Sequence, residues 1–340
     1  MPHLVAAPDK FRGTASAHEA AAAMVQAAGR LGWSGTAIPM SDGGEGLLDV
    51  VAGEDRSTAV SGPLGAPVEA RWRLLSATAD QPQTAVIEMA TAAGRALLPH
   101  PADDDPLRAN TVGVGQLLLA AREAGAQRIV IGCGGSATTD GGWGALSVAG
   151  AAETWADIEL VVACDVTTQF AEAARVFGPQ KGATPAQVHK LSTRLRDLAD
   201  HYQRVFGVTV HGVAGAGAGG GLAGGLTVLG ARIVPGFGLV AELNGLETQV
   251  TRADLVVTGE GHLDPPSFDG KVPGALLDMV GGRCPVLCLV GGADDHLLRQ
   301  PPPGMEIVSL IDRFGAARAR NDTIACIGEA TTSAIERFGL

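Results

Sequence analysis

Short apolar runs alternate along this chain with longer, Ala-rich stretches of helical period. The runs at 4–7, 37–40, 85–89, 128–133, 159–163, 208–211, 254–258, 286–290 and 306–309 predict buried strands. The stretches at 15–29, 43–51, 114–124, 142–149, 185–202, 218–229, 238–243, 272–279 and 325–338 predict helices. Strands spaced by helices predict α/β layers with largely parallel sheets. Residues 61–84 depart from this rhythm: a Gly- and Pro-rich turn followed by an alternating run predicts a small antiparallel excursion.

Length and charge narrow the picture. At 340 residues the chain is too long for one ordinary core, so two domains are expected. The helix–strand pattern begins and ends the sequence. This predicts a discontinuous α/β domain from 1–60 plus 252–340, with a second α/β domain inserted at 61–251. The first strands and the last two should then share a sheet. A net charge of −11 with no Lys/Arg cluster argues against nucleic acid. No apolar run of membrane-spanning length and no signal-peptide pattern is read, so a cytoplasmic protein is expected. The five cysteines, Cys133, Cys164, Cys284, Cys288 and Cys326, read as small buried hydrophobes and not as a metal site.

Chemistry concentrates where strands end, the side on which open α/β sheets bind ligands. Six runs close on Gly or acidic clusters: APDKFRGT from Ala7, SDGGEG from Ser41, GCGGSATTDGG from Gly132, ACDV from Ala163, TGEGHLD from Thr258 and VGGADD from Val290. Gly134, Gly135, Ser136 and Thr138 precede an apolar helix, and free amides with hydroxyls there suit a phosphate or carboxylate, although a capped helix would use the same residues. No Gly-Lys-Ser/Thr follows, so this is not a Walker A loop. The GAGAGG run from Gly215, with Gly217 and Gly219, fits nucleotide phosphate contact, a hinge or close helix packing; no acidic residue ends the following strand, which argues against a dinucleotide. Phosphoryl transfer needs carboxylates for Mg2+ and cations for phosphate charge. Asp42, Glu45, Asp165, Glu260 and Asp264 are the candidate acids, and Lys10, Arg12, Lys181 and Lys271 the candidate cations.

Taken in order, these segments resemble the type-1 glycerate kinase family. APDKFRGT is similar to its APDSFKGS, PMSDGGEG from Pro39 to PMADGGEG, IGCGGSATTDGG from Ile131 to IGLGGSATNDGG, and ACDV with VFGPQKGAT from Val176 to ACDV and VFGPQKGAT. The run at Gly215 resembles GAGAAGG, and TGEGHLD with Gly270-Lys271 resembles TGEGRID with GK. The resemblance implies two α/β domains, one flavodoxin-like and one restriction-endonuclease-like, with an interdomain cleft. It implies ATP, Mg2+ and a glycerate-like hydroxy acid, with 2-phosphoglycerate as product and a monomer or homodimer as the assembly. Within it, Asp165, Asp42, Lys181 and Glu260 are expected to be catalytic. Gly134, Gly135, Ser136, Thr138, Gly217 and Gly219 would hold the nucleotide. Lys10, Arg12, Glu45, His262 and Lys271 would hold substrate, and Asp42, Glu260 and Asp264 the metal. Lys10, Arg12, Thr139 and His262 stand where the family has Ser, Lys, Asn and Arg, and the stretches at 150–159 and 167–175 are short. These departures leave two alternatives: a kinase for another small hydroxy acid, and a non-catalytic metabolite- or nucleotide-binding paralogue.

Overall fold

Eleven strands carry the described residues: β1 His3–Ala6, β2 Ser34–Ala37, β3 Glu54–Ser61, β4 Pro67–Leu75, β5 Thr84–Glu88, β6 Arg128–Gly132, β7 Glu159–Cys164, β8 Arg232–Pro235, β9 Leu255–Leu263, β10 Val286–Ala293 and β11 Met305–Ser309. They form a five-stranded and a six-stranded sheet. The computed structural model describes residues 1–79, 81–98, 100 and 105–338. The chain divides into two units. Met1–Asp42, Asp49–Val51 and Phe237–Leu340 make the first; Gly43–Leu48 and Ala52–Gly236 make the second.

The first unit holds the all-parallel sheet in the order β2-β1-β9-β10-β11, so the first and last strands share it. Counted within the unit, this is the order 2-1-3-4-5, which reverses direction between β1 and β9 and so has its switch point there. Helix Ala17–Arg30 is started by a capping box, in which Ser16 Oγ accepts from Glu19 N and Glu19 Oε2 accepts from Ser16 N at 2.8 Å. Its Ala20, Ala21, Met24 and Ala28 face a core shared with Leu4, Leu255, Leu287 and Ile327. Small side chains let helix and sheet approach closely, as expected of a chain with 4% aromatics.

The second unit holds the order β3-β4-β5-β6-β7-β8. β3, β4 and β5 are antiparallel neighbours, and β5 to β8 are parallel. Its core includes Trp72, Trp155, Phe170 and Tyr202. Buried Trp155 and Tyr202 satisfy their polar atoms on backbone carbonyls, Trp155 Nε1 to Ala149 O at 3.1 Å and Tyr202 Oη to Gly141 O at 2.9 Å.

Several elements differ from expectation. The units part at 42/43, 48/49, 51/52 and 236/237, not at 60 and 252. Residues 54–60 go with the second unit because β3 pairs along its whole length with β4. Residues 237–251 go with the first, where Asn244 Nδ2 donates to Pro39 O and Val50 O. The run at 208–211 is no strand; helix Pro185–Phe206 ends on left-handed Gly207, and only Val210 of the next residues is buried. β8 is the strand that follows the Gly215 run, but it is missing from the expected buried strands, since a four-residue edge strand ending in proline shows no alternation. The helix expected at 218–229 is broken into three short turns because Gly219, Gly220 and Gly221 all have positive φ. Among the described residues no helix is long and apolar enough to cross a membrane.

Candidate active site

In the second unit, the carboxyl ends of β6 and β7 open onto a cleft of about 300 Å3. It is lined by Gly134, Gly135, Ser136, Asp165, Lys181 and Gly219 from the expected set, and by Gly44, Arg95, Cys133, Ala163, Val166, Phe177, Gln180 and Ala218. Lys181 ends the turn Pro179–Lys181 and is 5% exposed. Its Nζ donates to Ser136 Oγ at 2.7 Å and to Thr138 O at 2.6 Å. An ammonium has three donors, so among the described residues one remains for a ligand. Burial depresses the Lys181 pKa to about 8, opposed by the negative charge of Asp140.

The loop after β6 is shaped by Asp140, a buried carboxylate the sequence reading left out. It accepts from Thr111 N and Thr111 Oγ1 at 2.8 Å each, and from the amides of Gly142 and Gly144. These bonds hold residues 140–144 as a rigid entry to helix Trp143–Ala149. Gly135 takes φ +68°. Its carbonyl accepts from Arg95 N at 2.9 Å, which ties the loop to the short turn Arg95–Leu97. The amides of Gly134, Gly135 and Ser136 have no acceptor among the described residues. They form a concave set of donors that can take an anion. Glu88, also unanticipated, is buried at the end of β5 and accepts from the amides of Gly46 and Leu48, fixing the segment Gly43–Leu48 within this unit.

Two expected nucleotide residues have other employment, and the expected base differs from expectation in its burial. Thr138 is fully buried, turns its hydroxyl to Gly219 O at 3.3 Å and offers Lys181 its carbonyl, so it positions the lysine and does not face a ligand. Gly217 packs on backbone, where a Cβ would lie 2.5 Å from Gln169 O, which is the close-packing use of that motif. Asp165 is exposed at the strand tip and is not a buried carboxylate needing compensation. Thr139, buried where the resembling family has Asn, leaves Oγ1 without a partner among the described residues. Glu45 is exposed and belongs to this unit, but does not line the cleft. Burial raises the thiol pKa of Cys133, and that of Cys164 to about 11, so neither is a thiolate at neutral pH.

In the first unit, carboxylates gather at the switch point between β1 and β9. Asp9, three residues beyond β1, was overlooked although it follows its strand as Asp42 and Asp165 follow theirs. Burial, then the charge of Asp42, raises its pKa to about 6, against the Lys10 amide at 2.6 Å and the charges of Lys10 and Arg12. Glu260, on β9, is raised to about 7 by burial, against Ser267 and Lys271 and with Asp9 and Asp264 adding to the shift. Its Oε1 is buried with no hydrogen-bond partner among the described residues. Two carboxyls whose pKa burial raises, one with an orphaned oxygen, suit a cation.

The expected metal trio of Asp42, Glu260 and Asp264 is not assembled. Among the described residues no three His, Cys, Asp or Glu side chains group as a metal site. Asp264 has turned Oδ1 to Ser267 N and Ser267 Oγ, at 3.1 and 2.9 Å, to cap the turn Pro265–Phe268. A Mg2+ ion that keeps waters and phosphate oxygens needs only one or two carboxylates, and Asp9 with Glu260 fit that requirement. His262 is exposed on β9, with Nε2 3.3 Å from Asp294 Oδ1. A larger hollow of about 840 Å3 in this unit contains none of the expected residues, so volume does not locate the chemistry.

A family model described as the glycerate kinase family matches residues 4–154 and 146–325. The chain is 41% identical over 331 residues to an uncharacterized protein of Mycobacterium bovis, covering 93% of this chain and 86% of that one. It is 35% identical over 333 residues to glycerate 2-kinase of Escherichia coli, covering 86% of each. A crystal structure assigned to glycerate kinase 2 of Salmonella typhimurium LT2 is similar over 100% of both chains, with a TM-score of 0.80 at 30% identity.

Proposed function

The chain belongs to the glycerate kinase family, and on that premise we propose that it moves the γ-phosphoryl group of ATP onto D-glycerate, giving 2-phosphoglycerate. The observation that carries this reading is Lys181, a buried ammonium with one donor left for a ligand, in a cleft it shares with glycine amides and a carboxylate. A lysine is kept in such a place at a cost unless an anion meets it. The name of the Escherichia coli relative supports the 2-position.

In this reading the amides of Gly134, Gly135 and Ser136 receive the phosphoryl oxygens, and Gly219, whose Cβ position is filled by Met89, lines the same cleft. Lys181 neutralises charge that spreads over those oxygens during transfer, the largest electrostatic need of this chemistry. Asp165 accepts the proton of the attacking hydroxyl and orients its oxygen, worth roughly 10²–10⁴-fold. The divalent ion that accompanies ATP would be held by Asp9 and Glu260, and would offset phosphate charge. Asp42, Lys10, Arg12 and Lys271 tune those carboxyls. The same reading makes the first unit flavodoxin-like, supported by its strand order, and the second, with its mixed sheet, restriction-endonuclease-like.

The test is ADP release by the purified chain with MgATP and a panel of small hydroxy acids. D-glycerate should be turned over faster than L-glycerate, glycolate, lactate or tartronate. Turnover of another acid alone would replace the substrate, and no turnover of any would overturn the kinase reading.

A further inference from the structure

The second unit carries an exposed face that neither its cleft nor its core explains. Among the described residues six large apolar side chains are exposed, and three of them, Trp143, Val205 and Phe206, lie at the carboxyl end of helix Pro185–Phe206 or against it. They are 44% to 54% exposed, in a chain with only 4% aromatics. His201 stands edge-on to Trp143 at 5.4 Å and to Phe206 at 5.9 Å between ring centres, so the three rings make one surface. Contiguous apolar surface rimmed by polar groups marks an interaction site. A hollow of about 510 Å3 runs from Trp143 along the helix, and Lys190, Arg194, Asp197, His201 and Arg204 line it. These five recur in alternating steps of four and three, the spacing of a seam between two helices.

The charges on this face indicate what covers it. Asp197 and Arg204 are both exposed, and neither has a hydrogen-bond or ion-pair partner among the described residues. Seven residues of helix rise about 10.5 Å, too far for the two to pair with each other. Their neighbours are engaged elsewhere: Asp200, one turn before Arg204, meets His211 Nε2 at 3.1 Å, and Arg194, one turn before Asp197, donates to Leu107 O at 3.0 Å. Asp197 stands four residues before His201 and Arg204 three after it. When two copies of the helix cross antiparallel at His201, Asp197 of each therefore comes opposite Arg204 of the other. A two-fold contact is self-complementary, so this pair forms twice. The same crossing brings the exposed rings beside the axis and takes them out of water. An acidic partner would suit Lys190 and Arg204 but set like charge against Asp197, whereas a second copy satisfies both signs. We infer that this face is the contact between two copies of the chain, joined through the carboxyl halves of their Pro185–Phe206 helices. Of the two assemblies expected, monomer and homodimer, this selects the second and assigns its face. It does not depend on the reaction.

The experiment is sedimentation equilibrium of the full chain as the parent, as Asp197→Arg, as Arg204→Asp, and as an equal mixture of the two variants with one of them fluorescently labelled. The parent should be a dimer at micromolar concentration. Each single variant sets like charges opposite each other twice, and its dimer dissociation constant should rise on the order of 100-fold or more. In the mixture opposite charges face each other again at both contacts, so a dimer of the two unlike chains should return. That return also shows that both variants fold. Asp197→Arg and Arg204→Asp combined in one chain exchange the signs, and this double variant should dimerise as the parent does. A monomeric parent, single variants as dimeric as the parent, or a mixture that stays monomeric overturns the inference.

Discussion

Lys181 is a buried cation whose cost is set by pH. In the folded chain its pKa is lowered to about 8, while an ordinary lysine keeps its proton to 10.5. Between those values the unfolded state binds more protons, so this group makes stability rise with pH there, and destabilises the fold below about 8. Lys181→Met lacks that slope. Its stability relative to the parent should therefore fall as pH rises from about 8 towards 10, read by urea unfolding at each pH. The proposed catalytic role needs the ammonium. The parent kcat should decline as pH climbs through about 8, and the Met variant should lose on the order of 10²-fold or more. A parent profile flat to about pH 9.5, or a Met variant with near-parent turnover, would remove the ammonium from the reaction. The lysine was legible from the sequence because it stands in a Gly- and Gln-rich turn. Arg95 was not, because residues 90–98 read as an apolar stretch and its place is set by a contact with a loop some 40 residues later.

At the scale of elements, the loop after β6 shows why neighbouring glycines are not equivalent. A Cβ on Gly134 would lie 2.5 Å from the amide nitrogen of Glu45 in the same unit, whereas one on Gly135 would meet only Ala90 Cβ at 3.2 Å. Gly135→Ala then carries chiefly the left-handed strain of about 1–2 kcal/mol. It should fold, with a small loss in urea midpoint and a raised KM for ATP. Gly134→Ala should lose more stability, because the main chain of residues 44–45 has to move. Equal stability of the two variants would contradict this packing. The distinction could not be read from GCGGSATTDGG. Sequence shows that glycine is required and not whether a ligand or a backbone approaches it; for the same reason Gly217 fitted phosphate contact, a hinge or close packing alike, and it packs against Gln169. Strand ends were legible because Gly and Asp cluster there, and β8 was legible only by its place after the Gly215 run because its four residues carry no period.

Over the whole molecule, the fold gathers charged side chains at strand ends in each of the two units. The parallel sheet of the first brings raised carboxyls, Asp9 and Glu260, to its switch point. The mixed sheet of the second brings Lys181 and Arg95 to a glycine-walled cleft. A net charge of −11 gives no long-range attraction for an anion, so the proposed recognition of glycerate would fall to local cations such as Lys181. The order of motifs along the chain made the family legible, while the division of labour between cations and carboxyls needed the structure. The central claim is a transfer of phosphorus between two named oxygens, and ³¹P NMR of the purified chain with MgATP and D-glycerate follows it directly. The predicted result is loss of the ATP γ resonance matched by a phosphomonoester resonance of 2-phosphoglycerate. Unchanged ATP, release of inorganic phosphate alone, or a resonance of 3-phosphoglycerate would contradict it.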